Sequence, residues 1–132
     1  MNYLLDTHVF LWTLAKTENL SKRALEAIKN PDNEIFVSAV SLWEIAIKVR
    51  IQKLNLDTVR PDELIALAEK MQFQLMSLSA EEAVSYYQLN ENTHHDPFDR
   101  MLIWQSISRN IALISKDKQF KNFIPYGLQL VW

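Results

Sequence analysis

Asp6, Glu44, Asp99 and Asp117 each fall where a short apolar, strand-like run gives way to a helix-like one. Asp6 closes Y-L-L-D, Glu44 follows I-F-V-S by a few residues, Asp99 lies in H-H-D-P-F-D-R, and Asp117 follows A-L-I-S. Carboxylates at the C-terminal ends of buried strands point into the crevice where open α/β sheets bind ligands. Converging there, they would repel one another unless a cation joined them. The hard, oxygen-preferring ions that suit such a pocket are Mg²⁺ and Mn²⁺. A cation held this way activates water against a phosphodiester, so the pattern outlines a metal-dependent phosphodiester hydrolase.

Each acid also has a purely structural reading. Ser41 and Glu44 make an S-x-x-E capping box, with Glu44 at the third helical position. Asp96 before Pro97 reads as an N-cap, with Asp99 in the same relation to it, and Asp117 as the cap of a short helix. All would favour the positive end of a helix dipole. Asp6 is harder to explain this way, and Thr7 and Ser115 offer hydroxyls that could orient the carboxylates. The two readings overlap, because a helix N-terminus can hold a carboxylate in place for a metal. Asp96 is a possible additional acid.

Lys48 lies four residues after Glu44, an ordinary ion-pair spacing on a helix. Lys48 and Arg100 are also candidate contacts to a phosphate backbone. The adjacent His94 and His95 cannot easily present both rings to one metal, and His8 falls on an expected helix. The spacing of zinc sites is missing, so the histidines read as loop residues or supports behind the ligands. Trp12, Trp43, Trp104 and Trp132 read as core.

The elements that position these residues alternate along the chain. Strands are expected at 2–5, 35–38, 74–77, 112–115 and 128–131, from short apolar runs bounded by turn residues. Helices are expected at 7–15, 21–29, 41–51 and 98–109, with two more between 62 and 89 and a helical turn over 118–123. Ser79 with Glu82 makes another capping box. Such alternation implies parallel pairing through right-handed crossovers. The strands are poor in charge, as strands covered on both faces are. The expected fold is a three-layer α/β/α sandwich with a mostly parallel central sheet. No linker or repeat interrupts the 132 residues, which read as a single domain over 1–132.

Composition narrows the function further. The net charge of −2 gives no global basic field for nucleic acid. The single glycine, Gly127, excludes a P-loop and a G-x-G-x-x-G turn. With no cysteine, disulfides and thiol catalysis are absent. No apolar run approaches the roughly 18 residues of a membrane span. M-N-Y-L-L-D lacks the basic start of a signal peptide, so a cytoplasmic location is expected.

L-L-D-T-H near the N-terminus, S-A-V-S-L-W-E-I-A-I-K in the middle, and H-H-D-P-F-D-R-M-L-I-W-Q followed by S-K-D resemble the PIN-domain ribonucleases. More narrowly, they resemble the VapC-type toxins of bacterial toxin–antitoxin pairs. The resemblance runs nearly end to end and rests on the motifs occurring in this order. It implies an acid cluster of Asp6, Glu44, Asp99 and Asp117 holding Mg²⁺ or Mn²⁺, with Asp96 as a possible further member. It also implies an RNA substrate, cleavage to a 5′-phosphate and a 3′-hydroxyl, a homodimer, and inhibition by a cognate antitoxin. Lys48 and Arg100 then become candidate RNA contacts. W-Q-S-I-S stands where the family commonly has smaller residues, which bears on local helix packing.

Two alternatives belong to other classes. One is a catalytically degenerate PIN fold retained as a protein-binding module. The other is a phosphatase with Asp6 as nucleophile, which would want an acid at position 8, where the chain has His8.

Overall fold

In the computed structural model, which describes residues 1–132, five strands form one sheet. They are β1 (Asn2–Leu5), β2 (Glu34–Ser38), β3 (Gln74–Met76), β4 (Ala112–Ile114) and β5 (Gln129–Val131). All neighbouring pairs are parallel, in the order β3-β2-β1-β4-β5. The helices are α1 (Thr7–Ala15), α2 (Lys22–Lys29), α3 (Ala39–Arg50), α4 (Leu64–Lys70), α5 (Ala80–Ser85) and α6 (Pro97–Arg109). A 3-10 helix, Lys118–Tyr126, joins β4 to β5.

Successive strand residues point to opposite faces, and here both faces are covered. Leu5, Ile35, Val37, Ala112 and Ile114 pack under α1, α2 and α4. Leu4 and Leu113 pack on the other side against Leu102 and Ile103 of α6 and Phe120 and Phe123 of the 3-10 helix. Helix α3 serves both layers, Ile45 in the first and Val40 in the second. Two dry faces explain why the strands read as continuous apolar runs. The expected sandwich is the observed fold, with a sheet that is wholly rather than mostly parallel. No helix is long and apolar enough to cross a membrane.

The unusual W-Q-S-I-S stretch is accommodated by a polar seam. Gln105 is fully buried, accepts from Ser38 Oγ at 2.6 Å, and donates to the Ser77 carbonyl and to Glu82 Oε1, each at 3.3 Å. Glu82 is the third residue of the Ser79 capping box on α5. Burial raises its pKa, but Arg109, the Ser79 amide and Gln105 outweigh that and lower it to about 2. The Glu82–Arg109 pair therefore ties α5 to the last turn of α6 (2.7 Å).

One expected helix boundary is corrected. Helix α3 starts at Ala39 directly after β2, with Ser38 as its N-cap accepting from the Val40 amide. Ser41 is buried inside the first turn, and Glu44 is the sixth helical residue rather than the third. Glu44 therefore caps nothing.

Candidate active site

The topology brings the acids to one edge of the sheet. β1 lies between β2 and β4, and the chain leaves it in opposite directions to reach them. That makes the crevice at the C-terminal ends of β1 and β4 a switch point of the kind that binds ligands. Leu5 pairs with Ile114, so Asp6 and Ser115 are the next residues along adjacent strands. The Asp6 amide donates to the Ile114 carbonyl at 3.1 Å.

Asp6 is buried and caps α1, accepting from the Val9 amide at 2.8 Å through Oδ1. Its Oδ2 accepts a short hydrogen bond from Ser115 Oγ, which in turn accepts from the Asp117 amide at 3.1 Å. Burial pushes the Asp6 pKa up, the Ser115 and Val9 donors pull it back in part, and the nearby Asp117 charge adds to the rise. Asp117 caps the 3-10 helix by accepting from the Gln119 amide at 2.9 Å.

Glu44 reaches the crevice from the inner face of α3. Thr7 Oγ1 donates to its Oε1 at 2.6 Å, and Lys48 Nζ donates to its Oε2 at 2.6 Å. Thr7, expected as a support for Asp6, thus orients Glu44, while Ser115 orients Asp6. The bond to Glu44 raises the pKa of Lys48, and the charges of Asp96 and Asp99 add to it.

Asp96 is the N-cap of α6, accepting from the amides of Phe98 (2.9 Å) and Asp99 (3.0 Å). Asp99 turns its carboxylate to His94, whose Nε2 lies 3.1 Å from Asp99 Oδ2. Burial pushes the Asp99 pKa up to about 6; the His94 contact opposes the rise, and the Asp96 and Glu44 charges add to it. His94, Asp99 and Asp117 each offer one ligand atom, all within 4.8 Å of one another. Glu44 lies near enough to raise the Asp99 pKa, and Asp6 near enough to Asp117 to be raised by it. Carboxylate oxygens are the donors that Mg²⁺ and Mn²⁺ take, and carboxyl groups this resistant to ionisation fit a place where a cation belongs. A cavity of about 430 Å³, lined mostly by apolar residues, lies between α1, α4 and residues 54–59, and none of the four acids lines it.

Two expectations are corrected here. Arg100 is not available to a phosphate backbone. It is buried, and its guanidinium is engaged by Tyr86 Oη (2.6 Å) and the carbonyls of Leu89 (2.8 Å), Glu91 (2.6 Å) and His94 (3.0 Å). It clamps the loop that carries His94. Lysine cannot reproduce that planar fork, so Arg100→Lys should lower stability by about 2 kcal/mol, the scale of lost hydrogen bonds to a charge. Urea unfolding checks this; unchanged stability would remove the clamp. Trp43 is not core either: it is 61% exposed and packs edge-on against Phe98 at 5.4 Å. Lys48 remains half-exposed at the rim.

His94 is the residue that sequence reasoning undervalued. Its only signal was a position five residues before Asp99, in a loop whose path depends on the buried Arg100.

The sequence matches the family described as "PIN domain" over residues 3–123. It is 29% identical over 119 residues to "Ribonuclease VapC22" of Mycobacterium tuberculosis (strain ATCC 25618 / H37Rv), covering 90% of this chain and 89% of that protein. Among solved structures, the fold resembles VapBC2 from Rickettsia felis bound to a promoter DNA fragment (TM-score 0.71, 20% identity, 99% and 98% of the two chains). It also resembles VapBC-5 from Mycobacterium tuberculosis, described as a member of the VapBC family of toxin–antitoxin systems (TM-score 0.62, 17% identity, 98% and 97%).

Proposed function

Because the chain belongs to the PIN-domain family, we propose that it is a divalent-metal-dependent endoribonuclease and the toxin of a toxin–antitoxin pair. The observation that supports the catalytic reading is that Asp99 and Asp117 offer oxygens within 4.8 Å of each other beside His94, with Glu44 near enough to raise the Asp99 pKa and Asp117 near enough to raise that of Asp6. The ribonuclease name of the relative and the toxin–antitoxin description of the structural neighbour support the physiological half.

Asp99, Asp117, Asp6 and Glu44 are the oxygen donors assigned to Mg²⁺ or Mn²⁺, with Asp96 kept as the helix cap behind Asp99. When bound there, the cation neutralises the scissile phosphate and lowers the pKa of an attacking water. The chain's own residues supply placement. Ser115 and the Val9 amide fix Asp6, and Thr7 and Lys48 fix Glu44. The half-exposed ammonium of Lys48, held charged by Glu44, is the group we assign to a phosphate oxygen of the RNA. Hydrolysis leaves a 5′-phosphate and a 3′-hydroxyl.

Purified protein should cleave RNA with Mg²⁺ or Mn²⁺, stop with EDTA, and recover when metal is restored in excess. Metal-independent cleavage would remove the proposed chemistry. The antitoxin half is tested by co-expression with the product of the adjacent reading frame, which should bind the protein and suppress cleavage. Absence of both effects would leave a ribonuclease without that partner.

A further inference from the structure

We propose that His94 is a direct nitrogen ligand of the metal centre, beside Asp99 and Asp117, and that it turns the centre's preference from Mg²⁺ toward Mn²⁺. The inference rests on the metal-dependent reading above and deepens it.

The separation of the two groups is the first argument. His94 Nε2 and Asp99 Oδ2 are 3.1 Å apart. Two neighbouring ligands at right angles on an octahedral ion, with bonds of about 2.1 Å, stand about 3.0 Å apart. The atoms are already spaced to share one ion, and Asp117 presents an oxygen within the same 4.8 Å.

The second argument is the proton inventory of the ring. Nδ1 lies 3.0 Å from Gln119 Oε1, a carbonyl oxygen that can only accept, so Nδ1 carries the ring hydrogen. In that tautomer Nε2 is the ring nitrogen left to meet a metal, and it is the one that faces Asp99 Oδ2. Ligating histidines commonly donate their other ring N–H to a carbonyl or carboxylate, which is the role Gln119 fills.

Placement is the third. The ring is buried and sits edge-on to Phe120 and Phe123, with centroids 5.6 and 6.0 Å away. Its backbone is gripped on both sides: the Glu91 carboxylate accepts from its amide at 3.3 Å, and Arg100 donates to its carbonyl at 3.0 Å. A ring so fixed loses little freedom on binding a metal. Imidazole suits transition ions, whereas Mg²⁺ favours an all-oxygen shell. One nitrogen among carboxylates therefore favours Mn²⁺.

The test is pulsed electron paramagnetic resonance on the whole protein loaded with Mn²⁺. The spin-echo envelope of the wild type should carry the modulation of a directly bound ¹⁴N, which changes to the ¹⁵N pattern in protein labelled at histidine. His94→Gln should lose that modulation, while His8→Gln and His95→Gln keep it. His94→Gln should also bind Mn²⁺ about tenfold or more weakly, the scale seen when a metal's surroundings are altered, with a smaller loss for Mg²⁺. Bound Mn²⁺ without histidine modulation would overturn the proposal and leave the metal reading intact, His94 then being only a hydrogen-bond partner of Asp99. Modulation that survives in His94→Gln, or that disappears in His8→Gln or His95→Gln, would also overturn it. Failure of Mn²⁺ to bind at all would overturn both. If His94→Gln does not fold, the labelled wild type and the His8 and His95 variants still decide the assignment.

Discussion

Asp6→Asn should fold as the wild type does and lose more than about a hundredfold of its RNA cleavage. Changes to the surroundings of a metal cost roughly 10–100-fold, and loss of a ligand should exceed that. The substitution is close to isosteric, and its amide oxygen can still accept from the Val9 amide, so the cap on α1 survives. The new amide nitrogen faces Ser115 Oγ, which can turn and accept. What disappears is a charged oxygen for a hard cation. Burial pushes the Asp6 pKa up, so removal of the charge should not weaken the metal-free fold. Initial rates in excess Mn²⁺, beside a thermal melt, measure both effects. A folded, contaminant-free Asn variant with full activity would place Asp6 outside the mechanism.

Asp99→Asn should separate stability from function more sharply. In the folded chain the Asp99 pKa stands at about 6, above its ordinary value of 3.8. The folded state thus holds this proton after the unfolded chain has lost it. The contribution of Asp99 to metal-free stability accordingly falls as pH rises from about 4 to about 6, then stays flat. At 1.36 kcal/mol per unit the ceiling is about 3 kcal/mol. With 26% of the side chain exposed, screening reduces it to on the order of 1–2 kcal/mol. Asp99→Asn should recover that amount at pH 7 without metal, gain nothing near pH 4, and still lose cleavage by more than about a hundredfold. Mg²⁺ at a hundredfold excess over its dissociation constant should stabilise the wild type by about 2.7 kcal/mol and the variant far less. Melting curves at both pH values, with and without Mg²⁺, read all of this. Equal metal shifts together with a less stable Asn variant would return Asp99 to a plain helix-terminus role.

The parallel sheet was legible because each strand is a short apolar run ended by a turn or cap, and both of its faces are buried. Asp6 and Asp117 were legible for the same reason: the last paired residues, Leu5 and Ile114, fix where the chain leaves the sheet. The start of α3 was not. Ser38 and Ser41 both suit an N-cap, and only the absence of a loop after β2 decides for Ser38. Arg100 misled because a charged residue is exposed by default. Its burial depends on Tyr86, Leu89, Glu91 and His94 folding around it, a nonlocal event. Trp43 misled because a large aromatic residue is usually buried, whereas here it is exposed and packs only edge-on against Phe98. His94 was obscured by its neighbour, since two adjacent rings cannot share a metal, and only the loop path shows which one turns inward.

The claim on which the rest depends is that the crevice beyond β1 and β4 holds a divalent cation. Crystals of the wild type soaked in Mn²⁺ and measured near the manganese absorption edge test it without assay or variant. An anomalous peak is expected in contact with Asp99 and Asp117, at roughly 2.1 Å from their oxygens. Ordered crystals with no peak there at saturating Mn²⁺, or a peak only elsewhere on the surface, would contradict it.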